Sequence, residues 1–409
     1  MNTFNEKDQL TRELHDRSHD IDGHPIGLES VKQSARKIQR RRRVASGAVA
    51  AAVLAVAVPT ALAVTNGVNQ SVDPVSPNPT PTPTVRQSAA PRPDGPVQLA
   101  TKGLPRGEDP QVNYIKGENK ELVTPDGTKD MPLAMQGITP YGDGWVGLGY
   151  DSQGAQMFFM DSDLQITDRV ASGDSFTISP DGSQVAYVQI EEDDSQTLVN
   201  TPPTSELAPL TWPFPKRPAI APRGFMTPDT VLYQSDGGNA TVGMATADGQ
   251  TRQLEGFVKA TGASMVTGLV AGQTRSNPDA SGCFGVMDPA SSTSKMLWDT
   301  CDYSLSTFSP GGQFVLASDP YLDGAGTRSV SILDANTGDL VVTYQQERDS
   351  QIVLRGPVWE SNDTVVSIAQ EGTSFTFLRM STAGDLEAAT DPFEGDPMAD
   401  VPYRFASMS

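Results

Sequence analysis

From residue 97 onward, apolar residues come in short runs cut every few positions by Gly, Pro, Asp or Asn, the pattern of half-buried strands joined by tight turns. One hairpin recurs: two or three apolar residues, a turn rich in Asp, Gly, Thr or Asn, then a second apolar run. It is clearest at Phe158–Leu164, at Ile332–Leu340 around Asp334 and Gly338, and at Phe377–Leu386, with weaker copies centred on Gly117, Asn200, Thr246 and Asp288. Turn starts at 117, 161, 200, 246, 288, 334 and 381 lie 39 to 47 residues apart, the period of a propeller blade. A second element falls between them. Ser179-Pro180-Asp181-Gly182 leads into an apolar strand, Ser309-Pro310-Gly311-Gly312 does so again, and Thr227-Pro228-Asp229 and Glu360–Asp363 do so less clearly. Proline presets φ, and Asp-Gly supplies the bend that returns a strand beside its neighbour. Alternating the two elements builds a four-stranded antiparallel blade. The prediction is an all-β fold over 97–409, a propeller of six to seven such blades, with seven favoured by the seven turn positions. Only six inner-strand motifs are visible. The first blade is therefore expected to be completed by Val97–Ala100 or by the 401–406 segment, since circular folds hide their edges by joining the termini. Two stacked β-sandwiches are the alternative architecture.

The N-terminal part has a different pattern. Residues 44–64 form an uncharged run of 21 with 6 Val, 2 Leu and 9 Ala, long enough for one transmembrane helix. Arg40, Arg41, Arg42 and Arg43 precede it and the next basic residue is Arg86, so the positive-inside rule places the N-terminus in the cytoplasm. Ala61-Leu62-Ala63 also satisfies the small-x-small rule of a signal-peptide cleavage site, which makes a processed secreted protein the alternative. Residues 1–43 are expected to be a basic helical tail, with Thr3 and Glu6 at capping-box spacing before Leu10 and Leu14, and a second apolar stripe at Leu28, Val31, Ala35 and Ile38. The 65–96 stretch, with 8 prolines between Asn66 and Pro96, is a Pro/Thr-rich linker that holds the propeller off the membrane.

Charge sharpens this division. Residues 1–43 carry 10 Lys/Arg against 7 Asp/Glu, whereas 65–409 carry 20 against 43, an acidic surface that repels nucleic acid. All three histidines, His15, His19 and His24, precede the apolar run, so the large domain holds no Ser-His-Asp triad, and no Gly-x-Ser-x-Gly elbow occurs in it. No cofactor is expected. Ca²⁺ is a weak candidate at Glu191–Asp194 and at the Asp161/Asp163 pair, neither of which has the graded spacing of a calcium loop. Trp145, Trp212, Trp298 and Trp359 do not follow the blade period and are read as core. Cys283 and Cys301 are the only cysteines. A hairpin pairing Asp288 with Lys295 sets Cys283 opposite Thr300, one residue from Cys301, so the two are expected to form a disulfide.

Two resemblances add expectations. Leu10–Arg17, Ser34–Ile38 and the Arg40–Arg43 block resemble the tails of actinobacterial single-pass membrane proteins, which implies a cytoplasmic regulator such as a sigma factor as partner. The Ser179–Gly182 repeat resembles periplasmic TolB-type and WD-repeat-like propellers, which implies the fold and little about function. The expected protein is a non-catalytic binding or sensing propeller outside the cell membrane. Lipid surrounds residues 44–64, and an extracytoplasmic protein or wall component is the ligand. The second hypothesis is a tethered or secreted carbohydrate-active enzyme using Asp/Glu of the channel.

Overall fold

The computed structural model describes residues 93, 95–152, 154–202, 208–236, 240–277, 281–290, 294–320, 326–396 and 403–406. The tail at 1–43, Arg40–Arg43, the apolar run at 44–64 and nearly all of the 65–96 linker lie outside them. Among the described residues no helix is long and apolar enough to cross a membrane.

The fold is an all-β propeller, and strand alternation explains its layering. In Thr364–Glu371 and Ser374–Ser381, eight consecutive pairs run from Thr364 with Ser381 to Glu371 with Ser374 across a tight turn. Both faces of these strands are apolar, because sheets pack on each side. The core accordingly sits between sheets. Leu269, Ala271, Phe284 and Val286 of one sheet meet Leu305, Phe308, Val315 and Leu333 of the next. Leu316, Val330 and Ile332 in turn meet Leu354, Trp359, Val365 and Leu378. Burial of that apolar area is the main stabilising term.

Five sheets stand alone as blades, each with a four-stranded antiparallel path. In chain order they begin with Tyr114–Lys116, Ala219–Thr227, Lys259–Ala263, Ser304–Phe308 and Val353–Trp359. The sixth sheet has seven strands, from Met135–Tyr141 to Leu210–Phe214. The expectation of six to seven separate blades is corrected here. Ile166–Ile178 runs 13 residues without a turn, pairing through Ile166–Ala171 with Gln156–Met160 and through Ser172–Ile178 with Val185–Gln189. One strand thus serves two ladders, and a bulge between Ser172 and Phe176 bends it from one to the other.

Ile166–Ile178, the bent strand of the seven-stranded sheet, touches Ala219–Thr227, which touches Lys259–Ala263, which touches Ser304–Phe308, the last three being the first strands of their sheets. These are the inner strands of the ring. Its closure uses the C-terminal segment, with Tyr403–Phe405 pairing antiparallel to Tyr114–Lys116 and the Ile138 amide donating to the Ala406 carbonyl. The alternative closing segment, Val97–Ala100, is corrected. Val97–Gln98 runs parallel along the outer edge of Leu340–Gln345, where Leu99 is buried against Leu316, Val330 and Ile352.

Two of the seven turn positions also move. Asn200 lies inside the strand Gln196–Thr201, and Gly117 opens a one-turn helix, Gly117–Lys120, between the second and third strands of its blade. The other five join the third and fourth strands of their ladders as expected.

Cys283 and Cys301 are bridged, with Cα atoms 4.0 Å apart. Asp288 pairs with Lys295 as predicted, but a bulge between Val286 and Met287 advances the register, so Phe284 faces Thr300 and Cys283 comes directly opposite Cys301. A bridge spanning 18 residues stabilises by about 3 kcal/mol in the chain-entropy picture. Cys283→Ala with Cys301→Ala should therefore lower the urea midpoint by an amount equivalent to about 3 kcal/mol, and an unchanged midpoint would refute the assignment of a stabilising role.

Candidate functional site

Where the inner strands reach their outward turns, four of them line a small open crevice. Thr177, Ile178 and Pro180 form one wall, Gly224 and Phe225 the next, and Gly262–Met265 and Thr307–Pro310 the others. The strands can approach because Gly262 carries no side chain: a Cβ there would lie 3.0 Å from the Ser306 carbonyl oxygen. The lining is small and mostly neutral. Three threonine hydroxyls on or beside it, those of Thr177, Thr261 and Thr307, are buried and hydrogen-bonded to no protein group. Buried polar atoms are normally satisfied, which sets these three apart.

Two predicted turns build the crevice walls. The Ser179 hydroxyl donates to Asp181 Oδ1 (2.6 Å) and accepts from the Gln184 amide (2.9 Å), while the Ser183 amide and hydroxyl also donate to Asp181 (3.0 and 2.7 Å). The Gly182 amide closes the turn onto the Ser179 carbonyl at 2.9 Å. Ser309 repeats the frame, its hydroxyl accepting from the Phe314 amide at 3.2 Å. Pro180, Ser309 and Pro310 thus come together on the axis, whereas Asp334 and Gly338 serve an outer hairpin. There Asp334 Oδ1 accepts from the Asn336 and Thr337 amides, and Gly338, at φ +76°, lies under the Trp298 ring, where a Cβ would meet it at 2.7 Å.

Burial pushes the Asp181 carboxyl upward, but hydrogen bonds from Ser179 and Ser183 outweigh it and hold the group below the ordinary carboxylate range. A depressed native pKa gives stability that is present above the unfolded value near 4 and is lost as pH falls through the native one. Asp181→Asn should therefore flatten the drop in melting temperature below about pH 4 while lowering stability at neutral pH. A variant that follows the wild-type curve would contradict the turn's role.

The acidic candidates hold local structure. Asp161 Oδ1 accepts from the amides of Asp163 and Gln165, and Asp193 Oδ1 accepts from Ser195, whose hydrogen bonds lower the Asp193 pKa. Asp194 pairs with Lys216. Among the described residues no group of three or more His, Cys, Asp or Glu is placed to hold a metal ion. Trp212 and Trp359 are fully buried, and Trp145 and Trp298 are half-buried. The indole nitrogens of Trp212, Trp298 and Trp359 donate to carbonyls of a neighbouring sheet. Sequence reading missed Thr177, Thr261, Ser264 and Thr307, although Thr177-Ile178-Ser179-Pro180 and Thr307-Phe308-Ser309-Pro310 share one pattern that marks the crevice in two blades.

No protein-family model and no curated protein matches the chain. Solved structures match it. The β-propeller domain of Cps50 (Swd1) from Myceliophteria thermophila is 10% identical with a TM-score of 0.45, over 64% of this chain and 87% of that one. The β-propeller domain of the Trilobed protease from Pyrococcus furiosus is 11% identical with a TM-score of 0.44, over 62% and 84%. A TolB-type structure from Agrobacterium tumefaciens is 12% identical with a TM-score of 0.36, over 71% and 91%. The likeness is one of fold.

Proposed function

We propose that this chain is a membrane-tethered, extracytoplasmic binding or sensing propeller whose ligand sits in the axial crevice and undergoes no catalysis there. The crevice stands at one mouth of the ring's channel. The observation that carries the binding reading is the convergence of four inner strands on a crevice whose buried threonine hydroxyls lack protein partners. The tether rests on the apolar run at 44–64 behind Arg40–Arg43, with the linker as spacer, and the tail at 1–43 is the end that would meet a cytoplasmic regulator such as a sigma factor. Native mass spectrometry of the protein released from its own cells tests the site. The wild type should carry a bound mass that Ala263→Trp, which fills the crevice, no longer carries; the same mass on both would reject the crevice. Protease added to intact cells tests the tether, because it should degrade the propeller and spare residues before 44. Full protection of the propeller would reject it.

A further inference from the structure

Deeper along the inner strands, four residues before the last residue of each, stand Asp174, Arg223, Lys259, Ser304 and Arg355 on five strands. Three of the five are cationic and one is anionic, in a domain (97–409) whose acids outnumber its bases by 41 to 18. Asp174 accepts from the Tyr150 hydroxyl, Ser304 is tied to Ser318 and Asp319, and the Arg355 Nε donates to Gln370 at 2.8 Å.

Arg223 and Lys259 are different. Arg223 is 6% exposed and makes no hydrogen bond or ion pair among the described residues, with its Nε sealed from solvent. It is the extra residue of a β-bulge, since Pro222 pairs with Tyr233 and Gly224 with Leu232 while Arg223 faces no partner. Bulges re-aim a side chain. Gln234, which pairs with Ala221 two residues before Arg223, accepts from the Ala260 amide at 3.2 Å, which sets Lys259, the preceding residue, beside this stretch. Burial lowers the pKa of both cations, Arg223 further lowers that of Lys259, and Asp236 alone opposes the change in each. Asp236 Oδ1 is already engaged by the Gln234 side chain at 2.6 Å. Two neighbouring cations, one buried and one half-buried, without a contacting anion among the described residues are costly to fold, and a planar guanidinium beside an ammonium matches the geometry of an oxyanion.

We propose that Arg223 and Lys259 form an oxyanion site inside the axial channel, which holds the phosphate or carboxylate group of the ligand that enters through the crevice. The site rests on the reading of the channel as the binding place and adds the ligand's charge. It makes the ligand an anion drawn into a local positive field within an acidic protein, held by the guanidinium fork and the Lys259 ammonium.

Calorimetric titration of the full-length protein with inorganic phosphate, and separately with malonate, tests it. At least one should give saturable heats, and the same anion should raise the melting temperature as its concentration passes Kd. Arg223→Gln and Lys259→Met should each weaken that binding roughly tenfold or more. Lys102→Met, which removes one exposed surface cation, should leave it unchanged. In anion-free buffer Arg223→Met should melt at or above the wild-type temperature, because an uncompensated buried charge is removed; a clear fall would assign Arg223 a structural role and overturn the site. Absence of heat with both anions, or equal affinity in all variants, would also overturn it. A native bound mass that Ala263→Trp abolishes and Arg223→Gln leaves in place would remove the oxyanion site and keep the crevice.

Discussion

Trp359→Ala should cost about 4–5 kcal/mol, the largest effect expected of any single substitution in the domain. Trp359 is fully buried at the end of its inner strand and stacks on Phe314, with ring centroids 6.5 Å apart and planes 21° from parallel. Its Nε1 donates to the Thr307 carbonyl at 3.1 Å. The ring therefore joins two blades, its hydrogen bond ending on Thr307, a residue of the crevice lining. Truncation opens a cavity between the sheets and leaves that carbonyl without its donor. Trp359→Phe keeps much of the packing and should lose about 1–2 kcal/mol. Urea unfolding of the two variants separates the packing and hydrogen-bond contributions. A midpoint shift for Trp359→Ala worth under about 1 kcal/mol would show that the blade interface is not as described.

Arg379→Met should cost about 3–5 kcal/mol, through a different mechanism. The guanidinium is 13% exposed and Glu360 is 6% exposed. Nε and Nη2 donate to the two oxygens of Glu360 at 2.5 and 3.0 Å, and Nη1 donates to Glu387 at 2.6 Å. The same guanidinium donates to the carbonyls of Glu108 and Asp109, and the Gln111 amide donates to Glu360. Arg379 thus pins the segment leading from the linker into the ring against the last blade, alongside the backbone bonds of Gly107 and Ala388. Removing it strands a buried carboxylate. The double variant Arg379→Met with Glu360→Leu should recover part of the loss, because both charges are then gone. A double variant as unstable as the sum of the two single ones would indicate no coupling.

The repeat was legible in the sequence for a physical reason. At 161, 246, 288, 334 and 381, Asp, Ser or Thr side chains satisfy turn amides locally, and such turns announce themselves in a single sequence. Asn200 resembled them in composition, but its strand continues through Thr201 by pairing with Val185–Ile190. The uninterrupted strand Ile166–Ile178 could not be read locally, because its change of partners depends on a bulge set by the two neighbouring sheets. A bulge likewise moved the cysteine register by one residue. The crevice walls were half visible, through the Ser-Pro turns. The placement of Arg223 beside Lys259 was not, since the two share no motif and come together only through neighbouring sheets.

The central claim is that the axis of the ring, and not its outer edges, is the functional surface. Photocrosslinking in growing cells measures this directly, with a photoreactive side chain placed in turn at Met265 in the crevice wall and at exposed Thr251 or Leu340 on outer strands. The account predicts that Met265 yields an adduct of one defined mass, lost when Ala263→Trp is present, and that the outer positions yield none of that mass. The same adduct from the outer positions, with none from Met265, would contradict it.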